Sequence, residues 1–204
     1  LIEQNFYFLY MGEFFGKLSK TEDFTDRSLF VVKKYEKDQA YYFNAQIIHE
    51  LLLNAQKSQK EEISLFEYFV EFNAFRGICM AMVESLRFES PFKTFMQELF
   101  NEQYENFFDI VSFVRNVLSH NVHSEIRLGQ KDFDGTLKRI RRMGREPKLF
   151  FNFQYALNLP ELGAPNDAYS FTCKIDFSAL EEGMPFLEIL SMWDLMMLSE
   201  LCFN

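Results

Sequence analysis

The chain has 204 residues, of which 48% are hydrophobic and 25% are charged, and this composition is typical of a globular protein with a substantial core. A net charge of -9 argues against a general nucleic-acid coat protein, because nonspecific binding depends on cationic side chains that neutralise phosphates. The 26 phenylalanines predict a core or a subunit interface that is rich in aromatic rings.

Cysteine usage and the lack of long apolar runs favour a cytoplasmic protein. Cys79, Cys173 and Cys202 are far apart and form no Cys-x-x-Cys pair, which is typical of a reducing compartment where thiols pack as small hydrophobic groups. No apolar run approaches the roughly 18 residues that span a membrane. The chain begins at Leu1 without a basic segment or an apolar signal-peptide core, and the absence of an initial Met predicts trimming.

The N-terminal part of the chain is predicted to be helical. Residues 2–19 are apolar at helical spacing and belong to a helical extension that covers residues 1–38. Residues 39–58 carry apolar side chains three and four positions apart, which is typical of an amphipathic helix. His49 lies within that stretch, and we interpret it as an ordinary partly buried or surface histidine.

Two further helical stretches follow. Residues 62–87 form one long predicted helix without an internal proline. Ser90 followed by Pro91 indicates a helix start, because the hydroxyl caps the first turn and proline fits the first helical position. From there, one long helix or two helices in line are predicted to reach about Ser119.

The pattern changes after His120. Residues 132–143 predict a short basic helix. Residues 150–157 and 169–177 alternate like strands, and the prolines and glycines between them predict a β-hairpin with a long loop. An apolar helix from about residue 185 to 201 closes the chain.

The order of these elements defines the predicted fold class. It is mainly α, a helical bundle with a small antiparallel β-hairpin before the C-terminal helix. Residues 1–204 are interpreted as one domain, in which residues 121–180 form a β elaboration that includes a basic segment.

Polar groups interrupt the apolar helix that ends near residue 120. Buried Arg and Asn side chains cost free energy unless they are paired, so Arg115 and Asn116 suggest a function together with His120. At about 100° per residue, Arg115 and His120 lie about 140° apart on an ideal helix. They meet in one pocket only if the helix ends near Ser119 or if a second subunit completes the pocket.

A structural interpretation of the same residues stays open. Arg115 would form an ion pair with an acid on a neighbouring helix, for which Glu84 and Asp109 are the candidates. His120 would cap the helix C-terminus, where a cation is favourable. His123 lies just past the helix end and fits either interpretation.

The segment Arg115-Asn116-x-x-x-His120, late in a long helix, resembles the Arg-x(4–6)-His signature of the HEPN superfamily, in which a polar Asn commonly follows the Arg. The short sheet and closing helix are also similar to many bacterial HEPN proteins. The likeness in architecture covers roughly residues 40–204, whereas the motif covers six positions. Many HEPN proteins are metal-independent endoribonucleases whose catalytic cleft lies at a twofold interface.

The resemblance implies a role for each residue of the motif. His120 would be a general acid or base for the RNA 2′-hydroxyl or the leaving oxygen. Arg115 would hold the scissile phosphate, and Asn116 would orient the pair or donate to the phosphate. Ser119 and His123 are accessory candidates. The resemblance further implies a homodimer, RNA as substrate, an antitoxin or effector partner protein, and no cofactor.

Other chemistry lacks a motif in this sequence. The histidines and cysteines show no metal-binding pattern such as His-Glu-x-x-His, so no metal is predicted. There is also no Gly-rich phosphate loop and no Gly-x-Ser-x-Gly elbow.

A basic run covers Lys138 to Lys148 and contains six of the 21 basic residues against one acid. Such a run is a candidate for following an RNA backbone, and the alternative is a solvated charged turn. The residues predicted to contact RNA are Lys138, Arg139, Arg141, Arg142 and Arg145.

Three aromatic residues lie near the basic run, namely Phe133, Phe150 and Phe151. Aromatic rings beside cationic side chains stack on unpaired bases in proteins that bind single strands. The alternative is that these rings belong to the core.

The sequence is therefore compatible with three functions. The first is a homodimeric ribonuclease that acts as a toxin or as an antiviral or stress effector. The second is a non-catalytic HEPN-like module that binds a nucleotide or a partner protein, which the acidic, aromatic-rich chain would suit. The third is a structural or assembly protein in which Arg115 is ion-paired.

Overall fold

The computed structural model describes Ile2 and residues 31–36, 39–43, 65–121, 126–155 and 169–204. Its helices are α1 (Leu65–Arg87), α2 (Pro91–Phe100), α3 (Tyr104–His120), α4 (Gln130–Arg142), α5 (Phe186–Ile189) and α6 (Met192–Phe203). Two antiparallel strand pairs are formed by β1 (Val31–Glu36) with β2 (Gln39–Phe43) and by β3 (Lys148–Tyr155) with β4 (Tyr169–Asp176). The described residues are mainly helical with a small sheet before the C-terminal helix, which confirms this part of the predicted fold class.

The chain divides into two compact units. One contains Leu1–Phe8 and Phe72–Asn204, and the other contains Leu9–Glu71. Within the second unit, the structure describes the β1–β2 hairpin and the beginning of α1.

The β1–β2 hairpin corrects two predictions. The helical extension over residues 1–38 is wrong for Val31–Glu36, and the helix over residues 39–58 is wrong for Gln39–Phe43. The physical reason is backbone pairing across the hairpin, which places Val31 opposite Phe43, between two segments that contain residue types favoured in strands. The helices predicted for residues 2–19 and for 44–58, with His49, lie outside the described residues.

The helices that lead to the candidate site largely follow the prediction. α1 lies within the predicted residues 62–87. Ser90 caps α2, because its Oγ accepts a hydrogen bond from the Lys93 backbone N–H at 3.2 Å. The next helix is interrupted at Asn101, whose φ of 47° ends α2 before a 3-10 turn at Asn101–Gln103. α2 and α3 are therefore two helices, one of the two predicted arrangements.

The β3–β4 hairpin confirms both strands that were predicted before the last helix. Its register places Leu149 opposite Ile175 and Phe151 opposite Cys173, and all four side chains are buried. Alternate residues of both strands face outward, as the two-residue period of a strand requires. The hairpin therefore covers the core with one face and presents the other to solvent.

Aromatic rings make up much of the core beneath this hairpin. The Phe107 ring lies 4.5 Å from that of Phe100 and 5.5 Å from that of Phe151, between centroids. Phe113 lies 5.2 Å from Phe177 in an edge-to-face arrangement. Such contacts add to the free energy gained by burying apolar area, and they confirm the aromatic core predicted from composition.

The predicted closing helix is divided by a capping residue. Ser191 caps α6, because its Oγ accepts from the Asp194 N–H at 3.2 Å while the Asp194 carboxylate accepts from the Ser191 N–H at 2.8 Å. This reciprocal pair starts a new helix, so α5 and α6 are separate. None of the described helices combines the length and the apolar composition that a membrane span needs.

Candidate functional site

α3 carries the motif, and the core holds this helix in place. Its apolar side chains recur three and four residues apart and pack inward, where they are fully buried. The polar residues of the motif lie in the last turns beside this apolar stripe, so the core determines which neighbours they meet. The buried stripe consists of Phe107, Ile110, Phe113, Val114 and Val117.

His120 is the last residue of α3 and contacts the first turn of α4. Its Nδ1 lies 2.7 Å from Oδ1 of Asp132. The Asp132 side chain is 1% exposed and the imidazole is 37% exposed. Because an ionised carboxylate only accepts hydrogen bonds, this contact favours the tautomer in which Nδ1–H donates and Nε2 carries a lone pair. Nε2 has no hydrogen-bond partner among the described residues.

Further hydrogen bonds hold the Asp132 carboxylate. Its Oδ2 accepts from the backbone N–H of Gly129 at 2.7 Å and from Nδ2 of Asn121 at 3.3 Å. Asn121 in turn donates to the Val117 carbonyl at 2.8 Å. An acid at the third position of a helix accepts in this way from the residue that precedes the helix. The start of α4 therefore places an oriented acid against the end of α3.

Asp132 is the residue that the sequence analysis missed. The predicted helix began at residue 132, whereas α4 begins at Gln130. The sequence does contain a signal that could have identified Asp132, because Gly129 followed three positions later by an acid resembles a helix-start pattern. Its contact with His120 joins residues twelve positions apart.

Asn116 borders the same cluster. Its Nδ2 lies 3.4 Å from the Asp132 backbone carbonyl, a long contact that also joins α3 to α4. The Ser119 hydroxyl is buried and forms no hydrogen bond within the described part of the chain. His123 lies outside the described residues. His120, Asn116 and Asp132 therefore form one cluster.

Arg115 lies in a different environment, near the C-terminal end of α1. Burial and the neighbouring Arg87 guanidinium lower the pKa of Arg115 below its ordinary value, and Glu84 opposes that shift. Its Nε is buried without a hydrogen-bond partner among the residues that the structure describes. Glu84 is 2.7 Å from Arg87, which it binds. Arg115 and His120 thus border different helices within one chain, as their angle on an ideal helix implies.

The ion pair suggested between Arg115 and Asp109 is absent from the described structure, because Asp109 has other partners. Its carboxylate accepts from Arg139 and, at 2.7 Å, from Nη1 of Arg145. Burial raises the pKa of Asp109, and the two guanidiniums oppose that shift. Within the described residues, Arg115 forms no ion pair, so the structural interpretation of this residue gains no support.

The basic run is divided between inner and outer positions. Arg139 and Arg145 face α3, and Arg139 also binds Glu105 while its guanidinium lies 4.6 Å from the centre of the Phe108 ring. Lys138 Nζ is 3.2 Å from the Asp134 carboxylate, one helical turn away on the same helix. Arg141 and Arg142 are exposed. Three of the five predicted RNA contacts therefore have acidic partners within the chain.

The three aromatic residues near the basic run also separate. Phe133 and Phe151 are buried, so for these two the core alternative is confirmed. Phe150 is 47% exposed because odd and even positions of β3 face opposite ways. It is the one of the three that solvent reaches.

Comparisons with protein-family models, with curated proteins and with solved structures find no match to this chain. Membership of the HEPN superfamily therefore stays a prediction that depends on the motif and the order of elements. Among the described residues, no group of three or more His, Cys, Asp and Glu side chains is placed to hold a metal ion.

Proposed function

We propose that the protein is a metal-independent endoribonuclease whose active site is completed by a second copy of the chain. The principal support is the 2.7 Å contact between His120 and the buried Asp132. An imidazole held by an acid on Nδ1 presents its other nitrogen as a base, an arrangement that suits general base catalysis. Such an activity would suit a toxin or an antiviral or stress effector that a partner protein restrains.

The proposed reaction uses the 2′-hydroxyl of RNA as the nucleophile. Nε2 of His120 removes the proton from this hydroxyl, and the oxygen attacks the adjacent phosphorus. The bond from phosphorus to the 5′-oxygen breaks, the leaving oxygen takes up a proton from solvent, and the protonated imidazole then releases its proton to solvent. The products are a 2′,3′-cyclic phosphate and a 5′-hydroxyl end. Asp132 acts as a positioning residue that orients the imidazole and stabilises it when it is protonated.

Arg115 is proposed to bind the scissile phosphate of the site to which a second copy contributes His120. Its Nε has no hydrogen-bond partner among the described residues, and Arg87 and Glu84 lie close enough to affect its pKa in opposite directions. Arg87 is already paired with Glu84, so Arg115 is the guanidinium of the two that retains hydrogen-bonding capacity for a phosphate. A twofold arrangement would pair each Arg115 with the partner copy's imidazole and create two equal sites.

A mixing experiment tests both parts of this proposal. Purified protein is incubated with a mixed RNA pool in EDTA, and His120→Gln and Arg115→Ala are each expected to abolish cleavage while circular dichroism stays unchanged. The two inactive variants are then unfolded together and refolded as a mixture. Half of the dimers should be mixed and contain one intact site of two, so about one quarter of the wild-type activity should return.

The possible outcomes distinguish an incorrect active site from an incorrect arrangement of the two copies. Cleavage that persists in both variants, or wild-type cleavage that EDTA abolishes, rejects the proposed metal-independent site. A mixture as inactive as the single variants would mean that Arg115 and His120 of the same copy serve each site. Glu98→Gln, which changes an exposed side chain of α2 outside every predicted site, serves as the control and should leave cleavage unchanged.

A non-catalytic binding module is the second candidate. It is favoured by the separate surroundings of Arg115 and His120 within one chain, because a nucleotide phosphate needs only the arginine. RNA binding without cleavage by the wild type, together with loss of binding in Arg115→Ala but not in His120→Gln, would support this candidate over the nuclease.

A further inference from the structure

The outer face of the β3–β4 hairpin is polar except for one aromatic ring. Cross-strand pairs on this face place Phe150 opposite Lys174 and Lys148 opposite Asp176. Phe150 is 47% exposed, whereas the aromatic residues on the other face of β3 pack against the core. Lys174 and most of its neighbours on the outer face are also exposed. The hairpin therefore presents an accessible ring within a hydrophilic surface.

Cationic groups border this ring. Lys174 Nζ lies 5.3 Å from the centre of the Phe150 ring, within the range of a cation–π contact. Lys148, whose side chain is 71% exposed, lies 3.7 Å from the Asp176 carboxylate across the strands. The outer face thus has two lysines against a single aspartate, and its positive side adjoins the exposed ring.

α3 connects this face to the basic run. Asn106 accepts a hydrogen bond from Arg145 and donates one to the Phe150 carbonyl at 2.8 Å. Gln103 accepts from the Asn152 N–H at 2.8 Å. These two side chains occupy backbone groups on the free edge of β3, which would otherwise be open to strand addition. The face of the hairpin, rather than this edge, is therefore available to a ligand.

We propose that the outer face of the β3–β4 hairpin binds single-stranded RNA, with a base stacked on Phe150 and with phosphates on Lys174 and Lys148. Stacking on an aromatic ring accepts any unpaired base, and lysines beside the ring follow the backbone electrostatically. The proposal rests on the proposed ribonuclease function, for which it supplies a substrate surface. It also explains how an acidic chain binds RNA, because the contact is local.

A binding assay that does not require cleavage tests this surface. A fluorescein-labelled RNA of about twelve nucleotides without self-pairing, within the usual site size, is titrated with protein carrying His120→Ala, and anisotropy is measured. Phe150→Ala should weaken binding about tenfold, whereas Phe150→Trp should retain it. Lys174→Ala should weaken binding several-fold and lower the slope of log affinity against log salt by about one.

Matched controls locate the effect on the hairpin. Phe95→Ala removes a phenylalanine of similar exposure, 55%, from α2 and should leave RNA affinity unchanged. Lys138→Ala removes a lysine that Asp134 already binds, so its effect should be smaller than that of Lys174→Ala. A duplex of the same sequence should bind more weakly than the single strand, because its bases are not free to stack.

Each failure has its own signature. Wild-type cleavage of RNA together with equal RNA affinity of Phe150→Ala and its parent overturns the binding surface and leaves the nuclease intact. Binding that depends on Phe150 in a protein that never cleaves supports the surface and rejects the nuclease. A polyglutamate peptide that binds with the same dependence on Phe150 would identify acidic protein segments as the ligand and overturn RNA.

Discussion

Two buried aspartates join α3 to α4, and they do so in opposite ways. Asp109 belongs to α3 and is 0% exposed, and it receives two guanidiniums from the segment that contains α4 and the turn after it. Asp132 belongs to α4 and is 1% exposed, and it receives a backbone N–H, an amide and an imidazole. The first cluster balances its charge internally, whereas the second contains a partly exposed imidazole.

This difference suits the Asp109 cluster to a structural role and the Asp132 cluster to the proposed function. A carboxylate that two arginines bind has no free hydrogen-bonding capacity for a ligand, and its main role is to hold two helices together. An aspartate that orients one nitrogen of an exposed imidazole leaves the other nitrogen free for chemistry. The same pair of helices therefore contains a closed charge cluster and an open one, about three turns of α3 apart.

The largest expected effect comes from breaking the closed cluster. Asp109→Ala would leave Arg139 and Arg145 partly buried without their shared carboxylate, and we expect the free energy of unfolding to fall by about 3–5 kcal/mol. Urea denaturation followed by circular dichroism measures this change. Asp134→Ala, which breaks a surface pair with Lys138, should cost less than about 1 kcal/mol. Equal losses in the two variants would contradict the closed-cluster interpretation.

The open cluster should respond in activity more than in stability. Asp132→Asn keeps the shape of the side chain but removes its charge, so the imidazole loses its preferred tautomer. We expect the rate of RNA cleavage to fall about 100-fold, the upper range for a lost positioning partner, which corresponds to about 2.7 kcal/mol of barrier. Asp134→Asn on the same helix is the matched control. A normal rate in Asp132→Asn would remove the main support for the proposed base.

The smallest expected effect near neutral pH concerns buried thiols, because their ionisation changes the free energy of unfolding only under alkaline conditions. Burial raises the pKa of Cys79 and of Cys173 to about 12. Because the unfolded chain releases these protons at lower pH than the folded chain, stability should be full below about pH 8.5 and should fall as pH rises toward 12. Each thiol should contribute about 1.4 kcal/mol per pH unit within that window.

Chemical denaturation at several alkaline pH values measures this slope. Cys79→Ala should reduce the slope by the contribution of one thiol, about 1.4 kcal/mol per pH unit. The cavity that this substitution leaves lowers stability equally at every pH. A slope that is identical in the variant and the wild type would show that Cys79 ionises as readily in the folded state as in the unfolded chain.

Much of the fold was predictable because its signals are local. The Ser90–Pro91 start, the apolar period of α1 and the alternation of β4 each depend on residues a few positions apart. The β1–β2 hairpin was not predictable in this way, because the apolar spacing around Tyr42 fits a helix, whereas its pairing with Val32 joins residues ten positions apart. The break at Asn101 depends on a single backbone angle that no apolar pattern reports.

The motif residues themselves came from the sequence, but their partners did not. The order of residues along α3 determines that Arg115 and His120 point about 140° apart, and the alternation of β3 determines that Phe150 and Phe151 face opposite ways. Only the packing of α4 against α3 decided that Asp132 would hold His120, that Asp109 would take Arg139 and Arg145, and that Arg115 would be left beside α1. The reason is physical: periodicity depends on neighbours in the chain, whereas the partner of a buried polar group is whatever the folded core brings within hydrogen-bonding distance.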